Sequence, residues 1–139
     1  MGQNGCRRLK RLDLRSSSEL SSNITPLLKF CDNIKFLGLL KSGNRQDDWH
    51  VKTIHNTDIE HLAVKTLKPE HFTDHDLTNL LLVQPSINKL ELPGTNISND
   101  SLVEIANQLC SLVMLNVSNC IGITDSGVRF ILDRYFCLL

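Results

Sequence analysis

Apolar residues recur along the chain in triplets whose members are spaced three and then two apart. There are five: Leu9, Leu12, Leu14; Ile34, Leu37, Leu39; Ile59, Leu62, Val64; Ile87, Leu90, Leu92; and Leu112, Leu115, Val117. From Leu9 to Ile34, Ile34 to Ile59 and Ile87 to Leu112 the interval is identical, and only the step from Ile59 to Ile87 is longer. Every position in the triplets holds Leu, Ile or Val. Two apolar positions two apart share one side of a strand, while the residue between them takes the other. The pattern predicts five short strands, each buried on one side. A fixed period of this length marks a repeat architecture, in which each unit buries its apolar face only against its neighbours.

The segments between triplets read as helical returns. Val128, Ile131 and Leu132 follow Thr124 at helical spacing, and Leu102, Ile105 and Leu109 follow Asn99. Asn99 and Thr124 are the expected N-caps, with Asp100 and Asp125 placed to favour the positive helix end. Thr73 or Asp74 is expected to cap a helix carrying Leu77, Leu80 and Leu81, which Pro85 stops. Ile24, Leu27 and Leu28 supply a first helix face behind Pro26, and a further helix is assigned to the polar run between Lys41 and Asn56. The extra length of the fourth connection is expected near Lys68 to His71. Parallel strands with helical returns define an α/β solenoid: strands on a concave face, helices on a convex one, about five repeats beginning near residues 6, 31, 56, 84 and 110.

Composition narrows the class without adding chemistry. The 139 residues suit one domain, and 41% hydrophobic with 22% charged residues is ordinary for a globular chain. Lys plus Arg and Asp plus Glu both number 15, so bulk charge favours neither nucleic acid nor an acidic or basic partner. No apolar run approaches the roughly 18 residues of a membrane span, and Met1 to Arg15 lacks an apolar signal core. The five cysteines, at 6, 31, 110, 120 and 137, include no CxxC pair and are odd in number. Reduced thiols and a cytoplasmic or nuclear location are expected.

The run Leu112, Leu115, Val117, Cys120, Ile123, Thr124, Asp125 and Gly127 resembles the cysteine-containing class of leucine-rich repeats. That class is typical of F-box leucine-rich proteins, the substrate receptors of cullin-based ubiquitin ligases, and of related regulators without an F-box. Cys6 and Cys31 precede their triplets by three positions, as the family's cysteine does; Cys110 precedes by two, and Asn56 and Gln84 stand in its place elsewhere. The resemblance implies a right-handed solenoid over residues 1–139. It further implies a protein-interaction module that acts as the substrate-recognition part of such a receptor. The F-box itself is not found ahead of Leu9. Cys137 would open a sixth unit, and Phe136, Leu138 and Leu139 lack a following repeat, so a fragment, a short isoform or a stacked partner is expected.

Candidate chemistry is sparse. The cysteines read as buried packing residues at repeat turns rather than nucleophiles, since no base accompanies them. His71 and His75 with Asp74 have a spacing used by zinc sites, but no third ligand joins them. No enzyme activity, metal or cofactor is expected. Arg7, Arg8, Lys10, Arg11 and Arg15 form a basic run that is more simply the polar side of the first strand. The alternative to a client receptor is a membrane-tethered scaffold, with acylation at Gly2 and that basic strand as anchor. Sequons at Asn23, Asn96, Asn99 and Asn116 are discounted with the secretory route.

The residues flanking each buried pair define the expected binding face: Arg11, Asp13 and Arg15; Phe36 and Leu40; His61 and Lys65; Lys89 and Glu91; Met114, Asn116 and Ser118. Gly38, Ala63 and Pro93 share it. Phe36, Leu40 and Met114 are expected to be exposed apolar side chains, with Phe36 and Leu40 beside Arg11 and Arg15 as an anchor. The partners expected are protein clients, with cullin-ligase components reached indirectly.

Overall fold

The computed structural model describes residues 7–16, 31–41, 59–84 and 86–136. Within them are five strands: β1 (Arg11–Asp13), β2 (Phe36–Lys41), β3 (His61–Thr66), β4 (Lys89–Glu91) and β5 (Met114–Asn116). Three helices follow the later strands: α1 (Asp74–Val83), α2 (Asn99–Gln108) and α3 (Asp125–Phe136). The fold is α/β. All strands lie in one parallel sheet in sequence order, β1-β2-β3-β4-β5.

The register follows the apolar triplets. Leu12, Leu37, Leu62, Leu90 and Leu115 are lateral partners across the whole sheet. This row faces the core, where Leu37, Leu62 and Leu90 are at most 1% exposed. A one-residue slip would turn every strand's apolar set outward, so burial of this row fixes the pairing. Ile34, Ile59, Ile87 and Leu39, Val64, Leu92 complete the same core.

On the other side of that core, α1 packs on α2 and α2 on α3. Helix α1 starts at a capping box in which Asp76 Oδ2 accepts the Thr73 amide at 2.9 Å. It buries Leu77, Leu80 and Leu81 as expected. Pro85 in the sequence disfavours helical backbone at Gln84 (φ −129°, ψ 72°), and the helix ends there. A one-turn 3₁₀ helix, Pro69–His71, occupies the stretch where the longer connection was expected to hold its extra length.

Helix α2 differs from expectation at its start. Ser98 is the N-cap, accepting the Asp100 amide at 3.3 Å, and Asn99 lies inside the first turn. Its side chain instead reaches the next helix start: Nδ2 donates to Thr124 Oγ1 at 2.8 Å, and the Thr124 amide donates to Oδ1 at 3.0 Å. Asp74 does the same one unit earlier, accepting from the Ser98 amide (2.7 Å), the Ser98 hydroxyl (2.6 Å) and the Ser101 hydroxyl. Burial opposes its charge, but the Ser101 and Ser98 donors outweigh that and hold its carboxyl below the usual range. Side chains at the first helical position thus bridge successive helix starts.

Helix α3 packs through Ile131 and Tyr135, whose hydroxyl donates to the Leu109 carbonyl at 2.7 Å. Val128 and Leu132, expected on its buried face, are 41% and 63% exposed, because only the side turned to α2 has a neighbour among the described residues. Cys31 and Cys120 are buried as expected; Cys120 Sγ donates to the Leu92 carbonyl at 3.1 Å. Cys110 is exposed, contrary to expectation. It stands one position nearer its triplet than Cys31 does, which turns its side chain outward.

The expected helices at Ile24–Leu28 and between Lys41 and Asn56, and the calls on Gly2, Cys6, Asn56 and residues 137–139, lie outside the described residues.

Candidate binding face

The side of the sheet opposite the leucine row carries two lateral rows of side chains. Arg11, Phe36, His61, Lys89 and Met114 form one; Asp13, Gly38, Ala63, Glu91 and Asn116 form the other. Leu40 pairs with Lys65 beyond them on β2 and β3, and Arg15 and Ser118 sit in the turns after β1 and β5.

Phe36 is not the exposed anchor expected. It is 5% exposed, because residues of the two flanking strands close over it. The Arg11 guanidinium lies 3.7 Å from the ring centroid, that of Arg15 at 5.6 Å, and the His61 ring meets it edge-on at 4.6 Å. Both guanidiniums lie over the electron-rich face of the ring, and the near-perpendicular imidazole makes a favourable T-shaped pair with it. Leu40 and Met114 are half-buried rather than exposed.

Two carboxylates complete this cluster. Arg15 donates to Asp13 through Nε (2.9 Å) and Nη2 (2.7 Å), and its amide adds a third bond at 3.2 Å. That bidentate donation holds the Asp13 carboxyl down at about 2 and pushes Arg15 above its ordinary value. Glu91 Oε2 lies 2.7 Å from His61 Nε2. The resulting chain of contacts, Asp13–Arg15–Phe36–His61–Glu91, crosses four strands.

The second row holds two small residues at its centre, Gly38, which Asp13 and Arg15 cover, and Ala63. A Cβ at Gly38 would lie 2.5 Å from Asp13 Oδ1 and 3.1 Å from Arg15 Nε, so only glycine lets this pair fold over β2. A depression of about 370 Å³ lies over Ala63, lined by Arg15, Asp13, Ala63, Lys65, Glu91 and Pro93. Gly38 and Ala63 were placed on the face but not among its expected contact residues. Their matched positions in successive repeats, each between two core residues of its strand, were a readable signal of small residues at the centre of the row.

The far end of the face stands apart. Asn116 Oδ1 accepts the Ser118 amide at 3.0 Å, an Asx turn that turns the side chain to its own backbone. Asn116 is the lateral partner of Glu91, but among the described residues Met114, Asn116 and Ser118 make no side-chain hydrogen bond, ion pair or ring contact with the Phe36 cluster. His71 lies in the 3₁₀ turn and His75 in α1, so the two histidines do not share one helical face. Among the described residues no group of three potential metal ligands occurs. No helix among them is long and apolar enough to cross a membrane.

One buried charge escaped the sequence reading. Lys41, 3% exposed, points to the core side, where its ammonium lies 3.3 Å from Asp76 Oδ1 and donates to the His71 carbonyl. It ties the end of β2 to the start of α1.

No protein-family model matches the chain. No curated protein matches it either. Among solved structures, one titled "Leiomodin-1 Actin-Binding Site 2 (ABS2)" is similar, with a TM-score of 0.50 and 14% identity. The match covers 93% of this chain and 65% of that one, just under two thirds of its length. At that identity the likeness concerns the α/β fold alone; actin binding belongs to the protein named in that title.

Proposed function

We propose that this chain is a leucine-rich-repeat solenoid that works as a protein-interaction module, receiving a client on the outward face of its sheet. Three features support the solenoid reading: strands recurring at a near-constant interval, pairing in parallel in sequence order, and a leucine row in register throughout. Right-handed crossovers are the expected hand for such parallel connections. The observation that carries the function is the preorganised cluster of Arg11, Arg15, Phe36 and His61 beside a depression of about 370 Å³. Side chains already held by rings and ion pairs lose little freedom on binding, which favours recognition by a fixed surface. The proposed action is binding without covalent chemistry.

The resemblance of Leu112 through Gly127 to F-box-type repeats extends this proposal to ubiquitin-dependent turnover, with the chain as the client-recognition part of a receptor or a related regulator. Affinity purification from eukaryotic cells with mass spectrometry tests it. Co-purifying cullin-ligase components or ubiquitinated clients are expected. Their absence would remove the ubiquitin link and leave client binding to be judged on its own.

A further inference from the structure

The charges on the outward face are not balanced, and the imbalance specifies the partner. Both carboxylates there are already engaged, Asp13 by Arg15 and Glu91 by His61. Three cations are not: Arg11, Lys65 and Lys89 form no ion pair among the described residues. The Arg11 guanidinium carbon lies 3.7 Å from the Phe36 ring centroid, a contact with the ring that leaves its charge without a carboxylate among the described residues. Lys65 and Lys89 are exposed: Lys65, on β3, lines the hollow floored by Ala63, and Lys89, on β4, is the lateral partner of His61 in the adjoining row.

We infer that the face takes an acidic segment of a client protein, laid across the strands with one side chain in the depression and carboxylates on Arg11, Lys65 and Lys89. This rests on the client-binding reading above and names the chemistry of the client. A peptide fits better than nucleic acid for two reasons. A phosphate backbone needs a continuous run of cations, whereas Asp13 and Glu91 interrupt this one. The face also offers half-buried Leu40 and Met114, which suit apolar side chains next to acidic ones.

The test is selection of random twelve-residue peptides, displayed on phage, on the immobilised full chain. In parallel, selected peptides are titrated against the chain and its Lys65→Glu/Lys89→Glu variant. Both lysines are exposed, so the variant is expected to fold, and circular dichroism checks that it does. The inference predicts an enriched pool carrying several Asp or Glu per peptide. It also predicts affinity at least about tenfold weaker for the variant, and weaker in high salt. Enriched peptides that are neutral or basic, or that bind the variant equally well, would overturn the acidic partner while leaving client binding intact. Equal affinity for a single-stranded DNA 20-mer would overturn it in favour of a general polyanion site. No enrichment at all would overturn both this inference and the binding role of the face.

Discussion

Replacing Lys41 with Met removes an ammonium that is 3% exposed and lies 3.3 Å from the Asp76 carboxylate. Methionine keeps most of the length and the apolar stem, so the change deletes charge while leaving little void. Asp76, with its side chain 13% exposed, keeps the Thr73 amide at 2.9 Å and the Thr73 hydroxyl at 3.2 Å as donors, and the His71 carbonyl loses the ammonium. Removing one member of a buried pair typically costs about 3–5 kcal/mol, because the other charge stays buried without compensation. The two remaining Thr73 donors argue for the low end, about 3 kcal/mol. With a urea dependence of about 1–3 kcal/mol per molar, the unfolding midpoint should fall by about 1–3 M. Asp76→Asn instead removes the carboxylate facing the buried ammonium and should cost a similar amount. The double variant removes both charges and should cost at least about 1 kcal/mol less than the sum, since contacting groups couple by about 0.5–3 kcal/mol. Urea unfolding followed by far-ultraviolet circular dichroism reads all four proteins. Single variants within about 1 kcal/mol of the parent, or effects additive to about 0.5 kcal/mol, would refute the tie between β2 and α1.

Phe36→Ala should cost about 3–5 kcal/mol in the same assay, the usual range for a buried ring, because this ring is packed under Arg11 rather than displayed. A cost below about 1 kcal/mol would mean the ring is free in solution. Asp13, held at about 2 against an ordinary 3.8 by its bonds from Arg15, contributes stability that is present above about pH 4 and lost as pH falls through 2. Carboxyl-carbon resonances should show that low midpoint, moving toward 3.8 in Arg15→Ala; an unaltered midpoint in the variant would contradict the pairing. Native-state alkylation with iodoacetamide should label Cys110 quickly and spare Cys31 and Cys120 until denaturant is added, as peptide mapping will read. Rapid native labelling of Cys120 would contradict its place beneath the Leu92 carbonyl.

The strands and their register were legible in the sequence because the alternation within a strand and the repeat between strands are both set by apolar positions alone. Leu12, Leu37, Leu62, Leu90 and Leu115 line up laterally just as their triplets align in sequence. The outward rows were legible for the same reason. What alternation does not report is whether long neighbours fold over a side chain once it is placed. Phe36 takes the expected face and is still buried, since Arg11 and His61 become its lateral neighbours only when the sheet forms. Lys41 shows the converse. Its inward direction follows from Leu37 and Leu39, but its partner Asp76 depends on where α1 begins, which capping residues set only to within a residue or so. The same uncertainty separates Ser98, the observed cap, from Asn99. The small residues Gly38 and Ala63 were visible in the sequence, but that Asp13 and Arg15 cover Gly38 and the depression lies over Ala63 required the folded sheet.

The claim that the outward face is the client surface is tested most directly by quantitative affinity purification of three forms of the full chain from eukaryotic cells. They are the unaltered protein, Lys65→Glu/Lys89→Glu on the face, and Leu82→Gln on α1, where Leu82 is 72% exposed. Urea midpoints of all three are compared first, so that folding is not the variable. Proteins recovered with the unaltered chain should persist with Leu82→Gln and fall at least about tenfold with the face variant. Recovery unchanged in the face variant, or lost in Leu82→Gln instead, would contradict the account.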